Sequence, residues 1–150
     1  MIKTVAWAGN AYFASAMRSL CAEVVCLPRN RTLDWEAVVQ ACGHPPDLFV
    51  YGDISAQPFL KGIEAFPCPT VFYAIDTHIH SWYPLYAQAF DLVCVAMRDH
   101  LAGFLELGFS SDRIRWLPLF AKDSDSRIEM GEALRNEIVF VGKNDPVLTP

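Results

Sequence analysis

The stretch AIDTHIHSW, residues 74–82, crowds a carboxylate, two hydroxyls and two imidazoles into nine positions. Asp76, His78 and His80 are spaced by two. In an extended chain, residues two apart point the same way, so all three groups would share one face. A strand presents a metal-binding set in that manner. A carboxylate beside an imidazole is also a base with its orienting partner, and an imidazole titrates near neutral pH. A blander reading uses the same residues: Asp76 caps the next helix, and the histidines sit half-exposed in a loop. The flanking elements decide between these.

The string DTHIH resembles the first-strand motif of the amidohydrolase metalloenzymes. That resemblance implies further His and Asp ligands, often with a Lys, from later strands of a barrel of about 250 residues. This chain has 150 residues, and beyond His80 its one remaining histidine is His100. The motif also follows what reads as a fourth strand rather than a first. No metal ligand is assigned on this basis, and a DxHxH metal-dependent hydrolase stands behind the readings below.

Apolar runs alternate with helical patterns along the chain. Strands are expected at residues 4–8 (TVAWA), 23–27 (EVVCL), 48–51 (LFVY), 70–75 (TVFYAI), 92–96 (LVCVA) and 114–117 (IRWL). Helices are expected over 11–21, 33–42 with Thr32 as cap, 58–65, 83–89 and 99–107, the last ended by Gly108. The strands are continuous apolar runs rather than alternating ones, the mark of a parallel sheet covered on both faces. Successive β-α units then give an α/β fold: a doubly wound, Rossmann-like, mostly parallel sheet in three α/β/α layers. Residues 1–120 form this domain. Residues 121–136 are more polar and read as a linker or surface helix. Residues 137–150, with the run IVFV at 138–141, read as the first strand and loop of a second domain.

Composition narrows the classes. The chain is 53% hydrophobic and 19% charged, which describes an ordered globular protein. Its net charge of -5 argues against a nucleic-acid or anionic-membrane surface. The cysteines number five, an odd count with no CxxC, and Cys26 and Cys94 fall inside apolar runs. A reduced, cytoplasmic protein is expected. The N-terminus has a faint signal-peptide look, but strand, turn and helix explain it better. No apolar run approaches the roughly 20 residues of a membrane span.

In doubly wound sheets, ligands bind beyond the carboxyl ends of the strands, where strand order reverses. With the order 3-2-1-4-5-6, that point lies between strands one and four. It would bring Gly9-Asn10 to Asp76-Thr77-His78, leaving Asp53 further out and His100 on the other flank. Gly9 alone makes no dinucleotide fingerprint, since AGNAYFA lacks GxGxxG and strand two ends near Arg29 and Arg31 instead of an acid. Walker, GxSxG and HExxH motifs do not occur. A receiver-type regulatory domain would need an acidic pair after strand one, where Gly9-Asn10 stands.

From Pro46 onward the chain resembles a known family. The segments PDLFVYGD, PTVFYAIDTHIHSWYPLYAQAFDLVCVAMRDHLAGFLELG, IRWLPL and IVFVGK are similar to the CgeB-like (spore maturation protein) glycosyltransferases and related GT-B enzymes. The matching pieces are Ile75-Asp76-Thr77-His78, Trp82, Tyr86-Ala87, Phe90-Asp91-Leu92-Val93, Ala96, Asp99 and Trp116-Leu117-Pro118-Leu119. They cover residues 46–142. Met97 stands where Gln is usual in that family, and Phe120 where Ala is usual.

The resemblance implies a GT-B architecture, in which two Rossmann-like domains face across a cleft. The N-terminal domain mainly holds the acceptor and the C-terminal domain the nucleotide-sugar donor. The chain would be the acceptor-side half, binding no cofactor itself and inactive without the donor-binding domain, its partner. Its other partner is a sugar, glycan or protein acceptor. Asp76 and His78 are then the catalytic candidates for the acceptor proton. Gly9, Asn10, Tyr12, Asp53, Thr77, Trp82 and His100 are the substrate-binding candidates. Gly9 would let its loop approach the donor phosphates. Tyr12, Trp82 and Tyr83 would either stack on a sugar or pack into the core. The alternative is a non-enzymatic α/β binding or regulatory domain.

Overall fold

The computed structural model describes residues 2–29 and 31–119; the expected linker at 121–136 and second domain at 137–150 lie outside them. The strands are β1 (Thr4–Gly9), β2 (Glu23–Cys26), β3 (Leu48–Gly52), β4 (Thr70–Ala74), β5 (Leu92–Val95) and β6 (Ile114–Trp116). The helices are α1 (Ala14–Met17), α2 (Trp35–Cys42), α3 (Tyr83–Ala87) and α4 (Leu101–Glu106). All six strands are parallel and lie in the order β2-β1-β3-β4-β5-β6. The fold is α/β and Rossmann-like, as the apolar runs required. Among the described residues no helix is long and apolar enough to cross a membrane, and all five cysteines are free.

The strand order differs from the expected 3-2-1-4-5-6. β3, not β4, lies beside β1. Burial explains the choice. An interior strand is covered on both faces and is therefore a near-continuous apolar run. In β3, Phe49, Val50, Tyr51 and Gly52 are all buried. In β2, Glu23 and Cys26 are exposed, which suits a sheet edge. The chain therefore turns back after β2, crosses β1 and lays down β3, β4, β5 and β6 in one direction. The reversal that locates ligand crevices lies between β1 and β3.

Residues alternate between two cores. Ala6, Ala8, Phe49, Tyr51, Phe72, Ala74, Val93 and Val95 pack beneath α2, α3 and α4. Val5, Trp7 and Val50 pack beneath α1 through Ala14. The first core is aromatic at its centre: Phe72 meets Tyr51, Tyr83, Tyr86 and Phe90 at ring separations of 5.3–5.6 Å. Burying each such ring stabilises the fold by about 1.5–3 kcal/mol. The described residues cover the second face less completely. Beside α1 it keeps an apolar groove lined in part by Phe13, Met17, Val71, Tyr73 and Cys94.

Several boundaries move for local reasons. The helix expected over 11–21 shortens to Ala14–Met17. Asn10 and Tyr12 spend their side chains on the Asp53 carbonyl instead. The cap of α2 is Asp34 rather than Thr32, its Oδ1 accepting the Ala37 N–H at 2.9 Å. The helix expected over 58–65 reduces to a 3₁₀ turn at Ile63–Ala65. Leu33 captures the preceding residues by accepting the Lys61 N–H and donating to the Phe59 carbonyl. The 99–107 helix begins as a 3₁₀ turn, Arg98–His100, before α4.

Candidate functional site

At the carboxyl ends of β1 and β3 the backbones nearly touch. Gly9 and Gly52 are register partners, and the Asn10 N–H donates to the Gly52 carbonyl at 3.0 Å. A Cβ on Gly9 would lie 2.0 Å from the Gly52 carbonyl oxygen, and one on Gly52 would lie 1.9 Å from the Asn10 carbonyl oxygen. Gly9 also has φ of +75°, which a side chain disfavours. The glycine at position 9 thus has a structural requirement of its own at the crossing of β1 and β3.

Asn10 and Tyr12 complete that closure. The Asn10 Nδ2 donates to the Asp53 carbonyl at 2.7 Å, and the Tyr12 hydroxyl donates to the same oxygen at 3.2 Å. Burial raises the Tyr12 phenol above its usual pKa; its hydrogen bond with Asn10 opposes this, and the Asp53 and Asp76 carboxylates add to the rise. The two loops expected to meet are therefore electrostatically coupled, with β3 between them.

Asp53 is the centre rather than an outlier. It is 2% exposed. Its Oδ2 accepts the backbone N–H of Ile75 and of Asp76, each at 2.9 Å. Its Oδ1 accepts the Ser55 N–H at 2.7 Å and the Tyr83 hydroxyl. A buried carboxylate needs donors on both oxygens, and here they come from three chain segments. Tyr83, buried and held by this bond, is a packing residue and not a sugar platform; burial and its bond to Asp53 push its phenol well up.

The AIDTHIHSW stretch forms a turn after β4, not a strand. β4 ends at Ala74, and the Asp76 carbonyl accepts the N–H groups of both Ile79 and His80, at 3.0 and 3.2 Å. Asp76, His78 and His80 therefore do not share a face. Among the described residues no group of three or more His, Cys, Asp or Glu side chains is placed to hold a metal ion. Nor does Asp76 cap α3, whose N-cap is Trp82 with no side-chain bond.

Within the turn, Asp76 is half-buried and His78 is exposed. The Thr77 hydroxyl is buried with no hydrogen-bond partner among the described residues. His80 is half-buried, its Nε2 3.1 Å from the Ser55 Oγ and its ring 4.9 Å from Tyr83 and 5.5 Å from Trp82. Trp82 packs at 4.5 Å on Tyr83 and 5.7 Å on Tyr86. His100 sits in the 3₁₀ turn after β5, with its N–H on the Met97 carbonyl. No hydrogen bond or ring contact joins it to residues 76–80 among the described residues. Ser55 escaped the sequence reading, since no motif marks it.

The fold and site define an α/β, Rossmann-like domain with a polar turn at the carboxyl end of its fourth strand. Comparison with protein-family models, curated proteins and solved structures gave no match to this chain.

Proposed function

We propose that this chain is the acceptor-binding, N-terminal domain of a nucleotide-sugar-dependent glycosyltransferase of GT-B architecture. The observation that carries the reading is the Asp76-Thr77-His78 turn, fixed at the mouth of a parallel sheet by the Asp53 carboxylate. The resemblance of residues 46–142 to the CgeB-like family supports it. So does the Thr77 hydroxyl, a buried polar group without a partner in the turn itself.

In this reading the acceptor hydroxyl lies against the exposed His78 imidazole, with Asp76 beside it. As the acceptor oxygen attacks the anomeric carbon, the bond to the nucleoside diphosphate breaks, and in an inverting transfer the imidazole takes the hydroxyl proton. The donor is held by a second domain. Gly9, Asn10 and Tyr12 act indirectly, by closing the β1–β3 crossing beneath the site. Asp53 is a positioning residue: it sets the turn's backbone and is itself enclosed.

The test is sugar transfer from a panel of nucleotide sugars by the longest natural chain carrying this sequence. His78→Ala and Asp76→Ala should each lower kcat by about 10²-fold or more. Parental rates in both variants would remove the site assignment, and no turnover of any nucleotide sugar would remove the enzyme reading.

A further inference from the structure

Ser55 and His80 make a pair that the glycosyltransferase reading does not use. Their side chains meet at 3.1 Å, Oγ to Nε2, across 25 residues of sequence. In the tautomer that leaves Nε2 without a proton, this nitrogen is placed to take the proton of the serine hydroxyl. Ser55 is exposed, so a reagent can approach its oxygen.

Three further features make this more than a chance surface contact. Ser55 has φ of +54° and is the one non-glycine residue with positive φ among the described residues. Such a backbone is costly for a residue with a Cβ and is kept only where the surroundings impose it. Here the Asp53 carboxylate imposes it, receiving the Ser55 N–H at 2.7 Å. The same carboxylate holds the Tyr83 hydroxyl, and the Tyr83 ring packs on His80. One buried anion therefore positions both members of the pair, while Trp82 flanks the imidazole.

We propose that Ser55 and His80 form a nucleophilic dyad that accepts acyl groups from esters with a good leaving alcohol. The Ser55 Oγ forms a bond to the carbonyl carbon, and its proton passes to the His80 Nε2. The carbon–oxygen bond to the leaving alcohol breaks, and that alcohol carries the proton away. The acyl group remains as an ester on Ser55. Water, deprotonated by His80, then releases the acid and restores the serine hydroxyl. The step needs no oxidant, reductant or donor sugar, so it stands apart from the glycosyltransferase reading.

A fluorophosphonate reagent tests this on the 150-residue chain, because the serine oxygen displaces fluoride from phosphorus and leaves a stable adduct. Intact mass and peptide mapping should find one adduct, on Ser55. Ser55→Ala should abolish it, and His80→Ala should slow labelling by about 10²-fold. His44→Ala, an exposed histidine paired with Glu23, should label at the parental rate. Circular dichroism of each variant confirms that it is folded. An unmodified Ser55 in the folded parent chain overturns the proposal, as does parental labelling in folded His80→Ala.

Discussion

The Asp53 carboxylate receives the backbone N–H of Asp76 at 2.9 Å, so one strand-end acid sets the position of another. Both oxygens of Asp53 are filled, by Ile75 and Asp76 on one side and by Ser55 and Tyr83 on the other. The turn after β4, the segment after β3 and the start of α3 are thereby tied to one buried charge.

Replacing Asp53 tests that tie. All four of its partners are donors, so the amide nitrogen of Asp53→Asn would face a donor, and Asp53→Ala would leave the donors without an acceptor. Loss of a buried, multiply bonded carboxylate of this kind costs about 2–4 kcal/mol. Urea unfolding followed by far-UV circular dichroism should show that drop in both variants. A change under 0.5 kcal/mol, an order-of-magnitude bound for surface substitutions, would contradict the network.

Two glycines separate close approach from mere presence. Gly52→Ala places a methyl 1.9 Å from the Asn10 carbonyl oxygen, a backbone atom that cannot yield without parting β1 from β3. A loss of about 2–3 kcal/mol is expected. Gly103, inside α4, has nothing within 4 Å of its added Cβ and no positive φ. Gly103→Ala should stabilise the protein by up to about 1 kcal/mol through helix propensity. Paired urea titrations check the opposite signs.

Acid sensitivity has a named contributor. The Asp47 Oδ2 accepts the N–H groups of Lys3 and Thr4 at 2.8 and 2.9 Å. The Thr4 bond first, then that of Lys3, lowers its carboxyl below the ordinary 3.8. A depressed folded-state pKa stabilises the fold above the unfolded value, and that stability is lost as pH falls through the folded value. Unfolding free energies measured from neutral to strongly acid pH should fall in that window, and Asp47→Asn should flatten the fall. At the alkaline end the sign reverses. Burial, with the Cys94 and Tyr12 groups, raises the Tyr73 phenol to about 12. Its contribution is complete below the ordinary value of 10.0 and is lost as pH rises toward 12.

The parallel α/β class was legible in the sequence because each buried strand is a short, continuous apolar run: TVAWA, LFVY, TVFYA and LVCV. The strand order was not legible: EVVCL and LFVY are both apolar runs, and the expected order put β3 at the edge, where the structure puts β2. Nor was the geometry of residues 76–80 legible. The alternation of Asp76, His78 and His80 means a shared face only in an extended chain, and the Asp76 carbonyl closes a turn over them instead. The requirement for Gly9 and Gly52 appears only when two backbones distant in sequence cross.

The sequence by itself determined that the chain folds as stacked β-α units, because burial on both faces of a strand demands uninterrupted apolar residues. It also marked the turn after β4 as the polar feature at the sheet's mouth. The tertiary structure alone decided that β3 lies between β1 and β4, where Phe49, Val50, Tyr51 and Gly52 are buried. That placement made Asp53 the buried anchor of the site and brought Ser55 to His80. A hydrogen bond between residues 25 apart depends on where two loops are held, and no local pattern of residue types encodes it.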